Sequence, residues 1–366
     1  MASRNKIERN LRLLEKAIEE LPGEPSLLMS YGLELVRSDK LEAGLQQYEL
    51  ALRAVAEMPV AEVTPELRET LLTQLTTHLM AAKRFEDIVS LWQSPAARAC
   101  AQTASQHFSL GLAQMELKQP AAAAEQFRQC LAKREQAALS PINPEILRGG
   151  PLHCLALCHA ALKQNAAAEE SFRAAIAAEP RARASRFNFA RFLADTGNAI
   201  DALKTLNELT VENSADLAAW QFGAELALGK REFIEFACDW TEAAVKQFPD
   251  QPSIILLRAE ALFLAQRADQ ALLFWRDARL PKHPRRAAAA ALCEALGEDC
   301  QTGVAADQEQ AVSLEALKWY RRLIAVGANG LAYRLHEKME TLRLTLPSFV
   351  AIWETAMRKA SAAVAA

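Results

Sequence analysis

Apolar residues recur along this chain at i, i+3, i+4 and i+7, and alternation of apolar and polar residues over five or more positions is hard to find. The pattern predicts amphipathic helices throughout and no sheet. The first helix is expected from Arg4 to Leu21, with Ile7, Leu11, Leu14, Ala17 and Ile18 on one stripe and Pro22-Gly23 stopping it. Further along the stripes become periodic. Ala156, Ala190 and Ala224 stand 34 residues apart, Phe172, Leu206 and Trp240 keep the same step, and Ala168 and Ala202 match between them. A small residue followed 16 positions later by a large apolar one, at a fixed period, marks stacked helix–turn–helix units.

Seven units are expected, at 25–58, 69–102, 104–137, 149–182, 183–216, 217–250 and 252–285. The first offers Leu28, Tyr31, Gly32, Gly44, Tyr48 and Ala51. The second is degenerate: Leu72, Leu75, Phe85, Ile88 and Trp92 fit, but Thr76 stands where a small residue belongs. The third has Leu110-Gly111, Ala123 and Phe127, and a Pro-containing insert at 140–144 then breaks the period. The fourth (Leu152, Leu155, Ala156, Ala168, Phe172, Ala175, Pro180) and fifth (Phe189, Ala190, Gly197, Ala202, Leu206) follow the pattern closely. The sixth brings Trp220, Ala224, Trp240 and Ala243, with Phe236 replacing a small residue, and the seventh slips by one (Ile255, Ala259, Ala271, Trp275, Ala278). After Pro281 the register is lost. Helices are expected over Arg285–Leu296, Gln308–Ala325, Leu331–Leu342 and Pro347–Ala360, with a loop from Gly297 to Asp307. Residues 283–366 read as degenerate repeats or a helical cap, since the last unit of an array must present a polar outer face.

The large, small and aromatic places of these copies resemble the tetratricopeptide repeat. The resemblance implies an all-α, right-handed α-solenoid of helix–turn–helix repeats, with an N-terminal extra helix at 1–24 and a degenerate helical C-terminal cap. Each hairpin then buries one face against the unit before it and another against the unit after it. Truncating Phe172 or Trp240 to Ala is expected to cost about 3–5 kcal/mol. In that family the fifth and ninth places of the first helix line the inner groove. Carried over one residue at a time, they are Met29 and Leu33, Phe108 and Leu112, His153 and Leu157, Phe187 and Arg191, Gln221 and Glu225, and Leu256 and Glu260. This groove would be apolar in its N-terminal half and mixed and somewhat acidic in its C-terminal half. The clamp by which some relatives hold a peptide's terminal carboxylate is unsupported, because only Asn188 and Arg191 stand in comparable places.

Composition narrows the classes. The chain has 366 residues, 51% hydrophobic, with 42 basic against 45 acidic side chains. A formal charge of −3 does not favour nucleic acid as a partner. The basic cluster Lys282-His283-Pro284-Arg285-Arg286 reads as an exposed turn. The seven cysteines (100, 130, 154, 158, 238, 293 and 300) are odd in number and sparse, which suits reduced thiols. The charged N-terminus lacks a signal-peptide core, and no run of about 18 apolar residues is found, so a cytoplasmic protein with no membrane partner is expected.

Candidate chemistry is thin. Cys154 and Cys158, four apart on one helix face, could share a metal, but His153 and His159 lie off that face and further ligands are not evident; buried packing is the reading adopted. His336-Glu337-Lys338-Met339-Glu340 resembles a zinc-protease helix but has Glu340 in place of the second His. Gly-rich phosphate loops, Gly-x-Ser-x-Gly elbows and Asp-x-Asp pairs do not occur. The expectation is a chain that is not an enzyme, with no catalytic residue, no metal and no cofactor.

The opening Lys6-Ile7-Glu8-Arg9-Asn10-Leu11-Arg12-Leu13-Leu14-Glu15-Lys16-Ala17, followed by Pro25 and Gly32, resembles the junction in some bacterial family 2 glycosyltransferases. There a nucleotide-sugar domain leads into a helix of this kind and then into tetratricopeptide repeats. The resemblance implies a non-catalytic portion, or a stand-alone relative, that positions an acceptor or partner protein. The leading expectation is a scaffold binding a protein or peptide in the concave groove. Two others are an RNA-binding helical repeat, against which the absence of a basic stripe counts, and an enzyme with a site in the C-terminal helices.

Overall fold

The computed structural model describes residues 2–99, 102–136, 143–297 and 304–365, with the side chains of 2–5 and 359–365 left aside. It is all helical, with no strand among the described residues. The chain forms two compact units, Met1–Ser185 and Arg186–Ala366. The first contains α1 (Ala2–Glu20), α2 (Pro25–Arg37), α3 (Leu41–Glu57), α4 (Pro65–Ala81), α5 (Phe85–Gln93), α6 (Pro95–Arg98), α7 (Ala104–Glu116), α8 (Pro120–Lys133), α9 (Pro144–Leu147), α10 (Gly150–Ala161) and α11 (Asn165–Ala178). From α12 (Arg183–Asp195) the second follows with α13 (Ala199–Glu212), α14 (Leu217–Leu228), α15 (Ile234–Gln247), α16 (Pro252–Leu264), α17 (Ala268–Trp275), α18 (Pro284–Leu296), α19 (Glu309–Ala325), α20 (Asn329–Glu337), α21 (Met339–Thr345) and α22 (Pro347–Ala365).

Proline opens α2, α4, α8, α16 and α18, where its missing N–H costs nothing and its fixed φ suits the first turn. Thr103 and Gln106 close a reciprocal capping box on α7. The hairpin turns share one device. Asp39, Lys83, Lys118, Lys163, Gly197, Gln266 and Gly327 each take a positive φ just after the first helix of a hairpin. At Lys163 the N–H meets the Ala160 carbonyl at 3.0 Å and the next N–H, from Gln164, meets His159 at 2.9 Å. That pair of bonds satisfies the last carbonyls of the helix and turns the chain back. The same geometry at Gly327 makes α19 and α20 a hairpin of the same kind.

Packing follows the small–large pairs. Tyr48, Phe127 and Phe172 are fully buried, and Trp240 nearly so. A Cβ built on Gly111 would lie 2.8 Å from the Phe127 ring, so only glycine allows α7 and α8 this approach. In the second unit, α18 to α22 share one core with α15 to α17 through Leu292, Trp319, Leu323, Leu342 and Phe349. The expected single helix Leu331–Leu342 is in fact two, α20 and α21, parted at Lys338 (φ −96°, ψ 13°) so that Leu335, Met339 and Leu342 all reach this core. Of the expected insert at 140–144 only its last two residues are described, and Pro144 opens α9. The middle of the Gly297–Asp307 loop, and Cys100 and Cys300, lie outside the described residues.

Candidate binding groove

In the first unit, the first helices of the hairpins carry the expected groove positions. Between α2 and α4 lies a cavity of about 300 Å³ lined by Met29, Leu33 and Leu67 on its apolar side and by Ser26, Ser30, Thr70 and Gln74 among its polar groups. Glu66, exposed, also lines it. Tyr48 donates its phenol O–H to Gln74 Oε1 at 3.0 Å, which sets the orientation of that amide. Burial pushes the Tyr48 phenol up to about 12, so it remains a donor at neutral pH. Met29 is buried and Leu33 half-buried.

Farther along, Leu112 and Leu157 are half-buried. Phe108 is buried edge-on to Phe127, ring centroids 5.8 Å apart, and so belongs to the core more than to an open surface. His153 is half-buried with its ring 6.2 Å from that of Phe172, and burial pushes its imidazole down from the ordinary value.

In the second unit, Phe187 meets Phe222 edge-on at 5.9 Å. Arg191 and Glu225 are exposed, and Leu256 is half-buried. Gln221 donates from Nε2 to Ser253 Oγ at 2.5 Å. Glu260, expected among the lining residues of the mixed, somewhat acidic half, is buried, and its two carboxylate oxygens accept from Arg285 (3.2 Å) and from Arg322. Burial pushes its carboxyl up, against the pull of Arg322 and Arg285. Of the two acids in this stretch, Glu260 is thus paired inside the fold while Glu225 stays at the surface.

Next to Glu260 on α18 and α19 stand Arg285, Trp319 and Arg322, which lie past the point where the repeat register is lost. Arg285 lay within the basic cluster read as an exposed turn. The structure divides that cluster by role. His283 Nδ1 accepts the Arg285 backbone N–H at 3.1 Å to cap α18, and Arg286 grips the carbonyls of Trp275, Asp277 and Leu280.

The candidate thiol site is an apolar packing site. Cys130, Cys154 and Cys158 pack with Phe108, Phe127 and Leu155, and burial pushes Cys130 and Cys154 up to about 12 and Cys158 to about 11. His159 Nδ1 is engaged with Ser171 Oγ at 3.2 Å. His336 lies on α20 against Trp353 at 4.9 Å, and Glu340 falls on α21, so the motif does not occupy one helix. No group of three or more His, Cys, Asp or Glu among the described residues is placed to hold a metal ion. No described helix is long and apolar enough to cross a membrane.

No protein-family description matches the chain, and no curated protein matches it. Solved structures with a similar course include YrrB, described as a TPR protein with an unusual peptide-binding site, at 17% identity over 56% of this chain and 95% of that one, with a TM-score of 0.44. A tetratricopeptide repeat protein from Parabacteroides merdae matches at 16% identity over 69% of this chain and 91% of its own, TM-score 0.47. Yeast Tom70 matches at 16% over 80% of this chain and 58% of its own, TM-score 0.40.

Proposed function

We propose that this chain is a tetratricopeptide-type interaction scaffold, working in the cytoplasm without metal or cofactor, that holds peptide segments of partner proteins along the inner faces of its hairpins. One observation carries the reading. The α2–α4 cavity pairs an apolar wall (Met29, Leu33, Leu67) with hydroxyl and amide groups (Ser26, Ser30, Thr70, Gln74) along the same trough. An extended peptide has that chemistry: alternate side chains to bury and backbone amides to satisfy.

Binding to immobilised peptide libraries tests the proposal. Leu33→Glu and Leu157→Glu alter half-buried positions and should leave the helical circular dichroism intact while weakening peptide capture about tenfold or more. Capture that is unchanged in both variants overturns the reading.

We also read α1 as the junction to a preceding glycosyltransferase domain. The residues that carry that resemblance also dock the helix. Asn10 donates to Glu34 at 3.3 Å, and Tyr31 donates to Glu15 at 2.8 Å, so α1 continues the array as one body with α2. The coding sequence upstream of Met1 decides it: a nucleotide-sugar domain in frame is expected, and an in-frame stop codon overturns the reading.

A further inference from the structure

We infer that the second unit carries a receptor for a side-chain carboxylate of an acidic peptide, built from Arg285, Lys318 and Arg322 around Trp319; this rests on the peptide-binding reading and names the chemistry of one of its sites. A cavity of about 290 Å³ is lined by these four residues and Glu315.

The two guanidinium groups are held in place before any ligand arrives. Glu260 takes Arg322 on one oxygen and Arg285 on the other, which offsets the repulsion of two like charges side by side. Trp319 donates its indole N–H to the Arg285 backbone carbonyl at 3.1 Å, and the guanidinium carbons of Arg285 and Arg322 lie 4.9 and 5.5 Å from its ring centroid. Each arginine gives one terminal nitrogen to Glu260, and a guanidinium has five N–H donors to place. Side-chain entropy is thus lost on folding and not again on binding.

Burial sorts the charges by depth. The side chains of Glu260 and Glu315 are only 11% and 19% exposed, whereas those of Arg285, Lys318 and Arg322 are 50%, 70% and 31% exposed. The anions lie inside and the cations face solvent. Around the cavity three cations meet two carboxylates, Lys318 donating to Glu315, and it is the cations that are open to an incoming carboxylate. A phosphomonoester, with a charge of about −1.5 to −2, meets more repulsion from Glu315 than a single carboxylate does. Exposed Glu225, whose field reaches Glu260, opposes any anion here and supplies an independent test.

The full chain is titrated into a fluorescent hexaglutamate peptide, acetylated and amidated at its ends, with hexaglutamine, a phosphoserine hexapeptide and a free-carboxyl hexaalanine as comparisons. Hexaglutamate should bind most tightly. Lys318→Gln and Arg322→Gln should each weaken it about tenfold, and Glu225→Gln should tighten it. Lys318 is exposed, so its variant remains informative if Arg322→Gln fails to fold. Hexaglutamate binding no tighter than hexaglutamine, preference for phosphoserine or for a free terminus, or indifference to Lys318→Gln and Glu225→Gln would each overturn the inference. If apolar peptides still bind and remain sensitive to Leu33→Glu, the inference falls alone and the scaffold reading stands.

Discussion

The indole N–H of Trp240 donates to the backbone carbonyl of Trp220 at 2.8 Å, and the two rings lie 4.8 Å apart. The bond fixes the Trp240 ring against α14, where a Cβ on Gly223 would fall 2.5 Å from its Cζ2 atom. Gly223→Ala should therefore destabilise the chain by about 1–3 kcal/mol, since a pinned ring cannot yield. Trp240→Phe removes both the bond and the crowding edge. The double variant should lose less than the sum of the two single losses. Urea denaturation of all four proteins measures this coupling, and strict additivity refutes the account.

Lys163 holds φ at 60° in the exposed α10–α11 turn, a region that penalises a side chain by about 1–2 kcal/mol. Lys163→Gly should stabilise the chain by a part of that, about 0.5–1 kcal/mol once the greater freedom of the unfolded glycine is subtracted. Ala156→Gly, in the regular α conformation of α10 before that turn, should do the opposite. A lower melting temperature for Lys163→Gly would show that the side chain contributes more than its backbone strain.

The same turns show what the sequence could and could not announce. Gly197 is a visible stop signal, but Lys83, Lys118 and Lys163 carry none, and they adopt the left-handed region because hairpin packing requires a reversal there. Helices and their buried faces were readable because Gly32 with Tyr48, or Ala156 with Phe172, repeat at fixed spacing. Gly223 escaped notice because its need for glycine comes from a ring 17 positions on, held by a bond that no pattern of apolar residues encodes. The burial of Glu260 is not legible in the repeat pattern because its partners, Arg285 and Arg322, lie beyond the point where the repeat register fades. Likewise the break at Lys338 has neither proline nor glycine to mark it; core packing of Leu335, Met339 and Leu342 imposes it.

Acid should weaken the first unit through its histidines. His107 accepts from Lys133 Nζ at Nε2 (3.0 Å) and donates from Nδ1 to Gln126 (2.8 Å), an arrangement that requires the neutral ring. Burial pushes His107 below the ordinary 6.5, with Lys133 adding to the shift and Gln126 and Glu125 pulling back; burial does the same at His78 and His153. An unfolded histidine then binds its proton at higher pH than the folded one. The stability these rings contribute is fully present above about 6.5 and is lost as pH falls toward the folded values. Urea midpoints at pH 7.5, 6.5 and 5.5 should decline, and His107→Gln should flatten the decline. A midpoint indifferent to pH over that range would refute the assignment.

Burial also governs the thiols. Cys130, Cys154 and Cys158 are pushed up to about 12, 12 and 11, and Cys293 is raised as well, all chiefly by desolvation. The thiolate is the reactive form, so iodoacetamide at pH 8 should leave these four unmodified in the native protein and modify them in urea. Peptide mapping by mass spectrometry assigns each site. Rapid native labelling of Cys154 or Cys158 would mean that the α8–α10 core opens far more readily than its packing implies.

Arg286 holds the segment that joins α17 to α18. Its Nε donates to Trp275 O at 2.6 Å, and its Nη atoms donate to Leu280 O at 2.5 Å and Asp277 O at 2.8 Å. Three carbonyls around one planar fork cannot be met by an ammonium, which is a point charge on a flexible stem. Arg286→Lys should accordingly cost about 2 kcal/mol, near the contribution of one charge-assisted bond lost with its partner left wanting. The loss should be local before it is global. Hydrogen exchange at Asp277 to Leu280 is expected to accelerate in the variant while amides of α13 keep their protection. Equal acceleration in both places would show that Arg286 supports the whole unit and not this one crossing.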